Sequence, residues 1–182
     1  MDKSAIIQEI FRLFHEYGQS EYGGEEVNQL EHALQAATFA RNSGAADALV
    51  TAALLHDVGH LLHDLPDDAP SKGIDDLHEN KAFDYLISFF PPAVTEPVRL
   101  HVAAKRYLAA KESKYLEQLS EPSLQSLVLQ GGLMSETELE NFEKSIYFKD
   151  ALQVRRWDDQ AKIKDFVTPP LADFEKELLN SL

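Results

Sequence analysis

His56 and Asp57 stand side by side in the apolar run Leu54-Leu55-His56-Asp57-Val58-Gly59-His60-Leu61-Leu62. Positions four apart share a helix face, so His56 and His60 can address one point. Asp57 is turned by about 100° from His56 on an ideal helix. It joins them only where the helix ends or bends, and Gly59 offers such a place. A buried carboxylate needs a partner. A divalent cation is one that imidazole and carboxylate both bind. The competing reading is a helix with one structural histidine and a capped aspartate.

Four further observations weigh on that choice. Of the seven histidines, His32, His56, His60, His78 and His101 fall on apolar or element-terminal positions of successive helical segments, whereas His15 and His63 look peripheral. A lone histidine on an apolar face is an ordinary core residue, but several on consecutive helices match the way bundles build metal sites. One ion takes about four to six ligands. His32, His56, Asp57 and a late aspartate satisfy it, which leaves His60, His78 and His101 for a second ion, with Asp57 as bridge. Donors of nitrogen and oxygen alone suit iron or manganese and do not exclude zinc, nickel or cobalt.

Lys105 follows His101 by one helical turn, and Arg155 precedes Asp158 by about as much. Cations so placed can hold an anionic substrate group, Arg in a bidentate way and Lys as a point charge. The alternative is ordinary ion pairing in an acid-rich chain, which is the reading for Arg156.

The elements that must position these groups are helical. Ile6, Ile10, Leu13 and Tyr17 recur at helical spacing before Gly18. A loop to Glu26 is centred on Gly23-Gly24. Val27, Leu30, Leu34 and Ala37 trace the next helix, which carries His32 and ends by Gly44. Asp47 is the expected N-cap of the helix bearing the opening motif. His63 to Asp75 reads as a polar loop, long enough for a lid. A helix over about 76–90 follows, broken by Pro91-Pro92, and Pro97 suits the first turn of its successor. Ser123 opens a short helix closed by Gly131-Gly132, Ser135 with Glu138 has the form of a capping box, and Leu152 to Lys164 is the last strong segment. Almost nothing alternates at period two, so the expected class is all-α.

Length places residues 1–182 in one domain. The absence of cysteine excludes disulfides, thiolate metal ligands and thiol nucleophiles. A net charge of -14 argues against nucleic acid as a partner. No apolar run is long enough for a membrane span, and no signal peptide is evident, so a cytoplasmic location is expected. A monomer or weak homo-oligomer is the expected state.

The order His32, His56-Asp57, late Asp resembles the H…HD…D pattern of the HD-domain superfamily. Tyr22-Gly23-Gly24-Glu25, Gln29 to Gln35, Leu55 to His60, His101 to Leu108, Leu129 to Gly132 and Arg155 to Asp159 are together similar to the PhnZ-like diiron oxygenases of phosphonate-degradation operons. The match runs from about Glu21 to Lys164. The resemblance implies an HD-domain helical bundle with the metal site between core helices. It implies one iron on His32, His56, Asp57 and Asp158, and another on Asp57, His78 and His101. Asp158 is preferred to Asp159 for standing four residues before Lys162, a spacing shared with diiron inositol oxygenases. His60 would lie beside the substrate, Lys105 and Arg155 would grip its phosphonate, and Ser123 and Gln130 would add polar contacts. Tyr22 and Glu25 would close over the metal and read the amino end.

The implied cofactors are two Fe ions, as Fe(II)/Fe(III), with O2 as co-substrate. The implied reaction converts 2-amino-1-hydroxyethylphosphonate to glycine and phosphate. Alternatives are the same chemistry on a trimethylated or hydroxymethyl phosphonate, an HD-type metal-dependent phosphohydrolase, and a metal-binding scaffold without turnover.

Overall fold

The computed structural model describes residues 2–62, 73 and 75–182. Apart from Gly73 and Asp75, the loop expected over His63 to Asp75, with its lid reading, lies outside the described residues. The described residues contain helices and no strand. Their one β-type pairing is an antiparallel bridge between Glu21 and Asn28.

Helix α1 (Lys3–Tyr17) buries Ile6, Ile7, Ile10, Leu13 and Phe14 on one face, as its spacing predicts. Helix α2 (Gln29–Asn42) begins with a capping box. The Asn28 side chain accepts from the Glu31 N–H, and the Glu31 carboxylate returns to the Asn28 N–H. Helix α3 (Asp47–Leu55) is apolar nearly all round, and such a helix must be enclosed. It packs against α2, α5 (Pro92–Lys111), α9 (Phe148–Gln160) and α10 (Glu175–Ser181). Leu54 and Leu55 are fully buried there, at roughly 1.5–3 kcal/mol of apolar transfer each. Helix α4 (His78–Leu86) lies on α5, which pairs with α9. The short helices α6 (Tyr115–Gln118), α7 (Glu121–Leu129) and α8 (Glu136–Glu143) form two smaller apolar clusters around Phe142 and Leu127. No described helix is long and apolar enough to cross a membrane.

Several boundaries differ from expectation. Ala46, with extended backbone, is the N-cap of α3. Asp47 opens the first turn instead, where a carboxylate favours the helix dipole and accepts from the Asn180 amide at 2.7 Å. Pro92 begins α5, so Pro97 falls inside that helix, past its first turn. The hydroxyl that caps α7 is that of Ser120, and Ser123 is three residues in. Helix α9 starts at Phe148 and stops at Gln160, so Lys162 follows the helix rather than sharing it with Asp158. Ser135 and Glu138 do form the capping box of α8.

Candidate metal centre

Helix α3 stops at Leu55, and a 3-10 turn, Val58–Leu62, follows. His56 and Asp57 therefore leave the end of the helix, which is what lets neighbouring residues face one point. Gly59 is there for closeness rather than for flexibility. A Cβ on it would stand 2.0 Å from the His78 carbonyl oxygen, so only glycine lets the turn lie against the start of α4.

Four buried imidazoles surround Asp57 in two facing pairs. His32 and His56 approach Nε2 to Nε2 at 3.1 Å. His78 and His101 do the same at 3.1 Å. The outer nitrogens settle which atoms carry protons. His32 Nδ1 lies 2.8 Å from the Ala161 carbonyl, His56 Nδ1 2.8 Å from that of Ala53, and His101 Nδ1 2.6 Å from that of Val98. His78 Nδ1 lies 2.8 Å from Asp76 Oδ1. Carbonyls and carboxylates accept, so each Nδ1 donates, and in the neutral ring each Nε2 presents a lone pair. Two lone pairs facing each other repel unless something positive sits between them.

Asp57 spans both pairs. Its Oδ2 is 3.4 Å from His32 Nε2 and 3.2 Å from His56 Nε2. Its Oδ1 is 3.4 Å from both His78 Nε2 and His101 Nε2. That Oδ1 is buried without a hydrogen-bond partner among the described residues. Asp158 completes the first group, Oδ1 standing 3.5 Å from His32 Nε2 and Oδ2 3.9 Å from His56 Nε2. The donor atoms of His32, His56, Asp57 and Asp158, and separately those of Asp57, His78 and His101, all fall within 4.8 Å of one another. An orphaned carboxylate oxygen between converging bare imidazoles fits two cations bridged by Asp57.

The electrostatics describe the same strain. Burial opposes charge on His32, His56 and His78. At His56 the Asp57 and Asp158 carboxylates override it and push the ring up to about 9. At His32 burial prevails and the ring goes down. Burial and the nearby His60 lower His78 to about 4. Without metal, the first pair resolves by taking one proton onto His56.

Arg155 holds Asp158. Its Nη1 lies 2.7 Å from Asp158 Oδ2, its Nη2 donates to Asp159, and its Nε donates to the Tyr115 hydroxyl at 3.1 Å. The guanidinium is thus directed at Asp158, Asp159 and the Tyr115 hydroxyl. Despite burial, Arg155 and His56 hold Asp158 ionised, well below the usual carboxylate range. The Tyr22 ring stacks on His32 at 3.8 Å, and its hydroxyl lies 3.3 Å from Asp158 Oδ1.

Two lysines donate to serines of α7. Lys105, 2% exposed, donates to Ser126 Oγ at 2.8 Å. Lys162 donates to Ser123 Oγ at 2.7 Å. Burial, Arg155 and Lys162 depress the Lys105 ammonium to about 7. Glu25 accepts from the Ser120 hydroxyl and lies 3.4 Å from Lys162. Gln35, one turn after His32, holds the segment after α9 in both directions, donating to the Ile163 carbonyl at 2.9 Å and accepting from its N–H at 3.0 Å.

The structure therefore gathers His32, His56, Asp57, Asp158, His78 and His101, with His60 beside them. Its Nε2 is 4.0 Å from Asp57 Oδ1. Tyr22 touches the centre, and Lys162, 5.9 Å from the Tyr22 ring, joins it to Glu25 and Ser123, while Lys105 is held by Ser126. Gln130 ends α7 with its side-chain oxygen buried and no described partner. Sequence reasoning missed Asp76 and gave Lys162 no role in the site. The Asp-Leu-His order before α4 was the available signal for the first.

A helical bundle holding two carboxylate-bridged His/Asp groups is a metalloenzyme framework of the HD type. No family model matches the chain. It is 44% identical over 177 residues to the hydroxymethylphosphonate dioxygenase of Gimesia maris, covering 97% of this chain and 88% of that protein. It is 40% identical over 169 residues to the [1-hydroxy-2-(trimethylamino)ethyl]phosphonate dioxygenase (glycine-betaine-forming) of Leisingera caerulea, covering 93% and 86%. An uncharacterized protein, L432, of Acanthamoeba polyphaga mimivirus is 37% identical over 176 residues, covering 95% and 80%. The chain belongs to the PhnZ-like HD-domain family of phosphonate dioxygenases.

Proposed function

We propose that the protein uses two iron ions and O2 to break the C–P bond of a small 1-hydroxyphosphonate, yielding a carboxylate and phosphate. The observation that carries this reading is Asp57, whose two oxygens each face a pair of bare imidazole nitrogens. When bound, the irons would supply the redox chemistry and polarise the substrate hydroxyl. His32, His56, Asp57 and Asp158 would hold one, and Asp57, His78 and His101 the other.

The chain's own groups do the rest. Lys105 and Lys162 neutralise the phosphonate charge, with Ser123 donating beside them. This matters in a protein of net charge -14, where the global field repels a dianion. Arg155 keeps Asp158 ionised and aimed. Tyr22 covers the open face of His32. His60 stands next to the bridging carboxylate, on the side of the second group.

Two observations bear on the substrate's far end. Glu25 favours the ammonium of 2-amino-1-hydroxyethylphosphonate, which would compete with Lys162 for that carboxylate. The Gimesia maris relative favours hydroxymethylphosphonate. Assays of both substrates and of the trimethylated analogue, with phosphate release and O2 uptake followed together, test the proposal. We expect equal amounts of phosphate formed and O2 consumed from at least one of them, and none under argon. Hydrolysis of phosphate esters under argon, with no phosphonate turnover in air, would establish a phosphohydrolase instead.

A further inference from the structure

We infer that Asp76 is a positioning residue that locks His60 and His78 into one orientation and one tautomer, so that both imidazoles present Nε2 to the bridging carboxylate. The inference rests on the reading of His78 as a ligand of the second ion.

Asp76 reaches both rings. Its Oδ1 lies 2.8 Å from His78 Nδ1 and also accepts the His78 backbone N–H at 3.3 Å. Its Oδ2 lies 2.7 Å from His60 Nδ1. A carboxylate has no proton to give when ionised, so both ring nitrogens donate. The two rings stack at 4.1 Å with an interplanar angle of 22°. With both Nδ1 atoms on one carboxylate, both Nε2 atoms turn the same way, 3.4 Å and 4.0 Å from Asp57 Oδ1 for His78 and His60 respectively.

The backbone is shaped for this contact. Leu77 adopts a left-handed conformation, φ 52° and ψ 37°, which L side chains rarely take. The Asp75 carboxylate accepts its N–H at 3.3 Å. That turn folds Asp76 back over the residue two ahead, in the manner of an Asx turn. Gly59 lets the strand of chain bearing His60 come against the same point. Three local features thus converge on bringing one carboxylate to two histidines, one in the 3-10 turn after α3 and one at the start of α4.

A carboxylate on the outer nitrogen of a ligand histidine fixes its tautomer and raises its basicity, and removing it typically lowers metal affinity by about 10–100-fold. Here the same carboxylate also sets the spacing between a ligand and a histidine beside the substrate.

The tautomers are read by long-range proton–nitrogen correlation spectroscopy on histidine-labelled, Zn(II)-loaded protein. In the wild type we expect both His60 and His78 to carry the proton on Nδ1. In Asp76→Asn, which keeps the shape, the amide oxygen can accept from only one ring and its NH2 faces the other; with His78 Nε2 on zinc, the proton that moves to Nε2 is that of His60. Anaerobic Fe(II) titration of Asp76→Ala should show the first ion bound as in the wild type and the second about 10–100-fold more weakly. Protons on Nε2 in the wild type, unchanged tautomers in Asp76→Asn, two ions bound at wild-type affinity by Asp76→Ala, or a third ion held by His60, Asp76 and His78 would each overturn the inference. The wild-type tautomers decide it even if the alanine variant fails to fold. None of these readouts involves a phosphonate, so they stand or fall apart from the proposed reaction.

Discussion

The Nε2 atoms of His32 and His56 face each other at 3.1 Å while each ring's Nδ1 donates to a backbone carbonyl. Backbone thus fixes both rings with their lone pairs opposed, an arrangement that a cation relieves.

Ligand loss should therefore be graded. His101→Ala removes a donor of the second group alone and should leave about one ion per chain. Asp57→Ala removes the shared bridge and should leave neither tightly bound. Metal analysis after gel filtration measures both. Equal losses in the two variants would contradict a bridging role for Asp57.

Protons compete with the first ion. Carboxylates push His56 up to about 9, against burial, and a metal must displace that proton. Affinity at His32, His56, Asp57 and Asp158 should rise with pH, by roughly tenfold per unit between about pH 6 and pH 8. Competition titration with a chromophoric chelator at several pH values reads the slope.

Lys105→Met should trade binding for stability. The ammonium is 2% exposed and depressed to about 7 by burial, Arg155 and Lys162. Its removal should raise Tm and raise KM for the phosphonate on the order of 100-fold, about 3 kcal/mol, with metal content unchanged. In the wild type, kcat/KM should fall as pH rises through about 7 and Lys105 loses its proton, and that limb should vanish in the variant. Steady-state kinetics with thermal melts check all three.

Gly59→Ala should loosen the second group before the first. The new Cβ would stand 2.0 Å from the His78 carbonyl. Relief must separate the 3-10 turn from α4, costing about 1–3 kcal/mol. A lower Tm together with weaker binding of the second ion is the expected result. A fall in Tm with both ions held as before would show that the close approach serves packing alone.

Much of this centre was legible in the residues because its logic is chemical. His56-Asp57 in an apolar run demands a partner wherever the chain places it, and the surplus of histidines pointed to a second donor group, which the structure gathers as Asp57, His78 and His101. The boundaries were less legible. Pro97 reads as a helix start, yet Pro92 had already taken that position. Asp47 reads as a cap, yet Ala46 occupies it. Arg155 was read beside Asp158 and lies there, but its remaining donors go to Asp159 and Tyr115, which spacing alone does not reveal. Asp76 was missed because its reach depends on a left-handed Leu77, a conformation that leucine's propensity argues against.

The two-way amide contact between Gln35 and Ile163 works as a ruler. Gln35 rides on the same helix as His32, three residues along, and Ile163 is bonded directly to Lys162. The imidazole and the lysine are thus linked through a single amide. One side chain thereby ties the corner that carries His32 to the backbone next to Lys162.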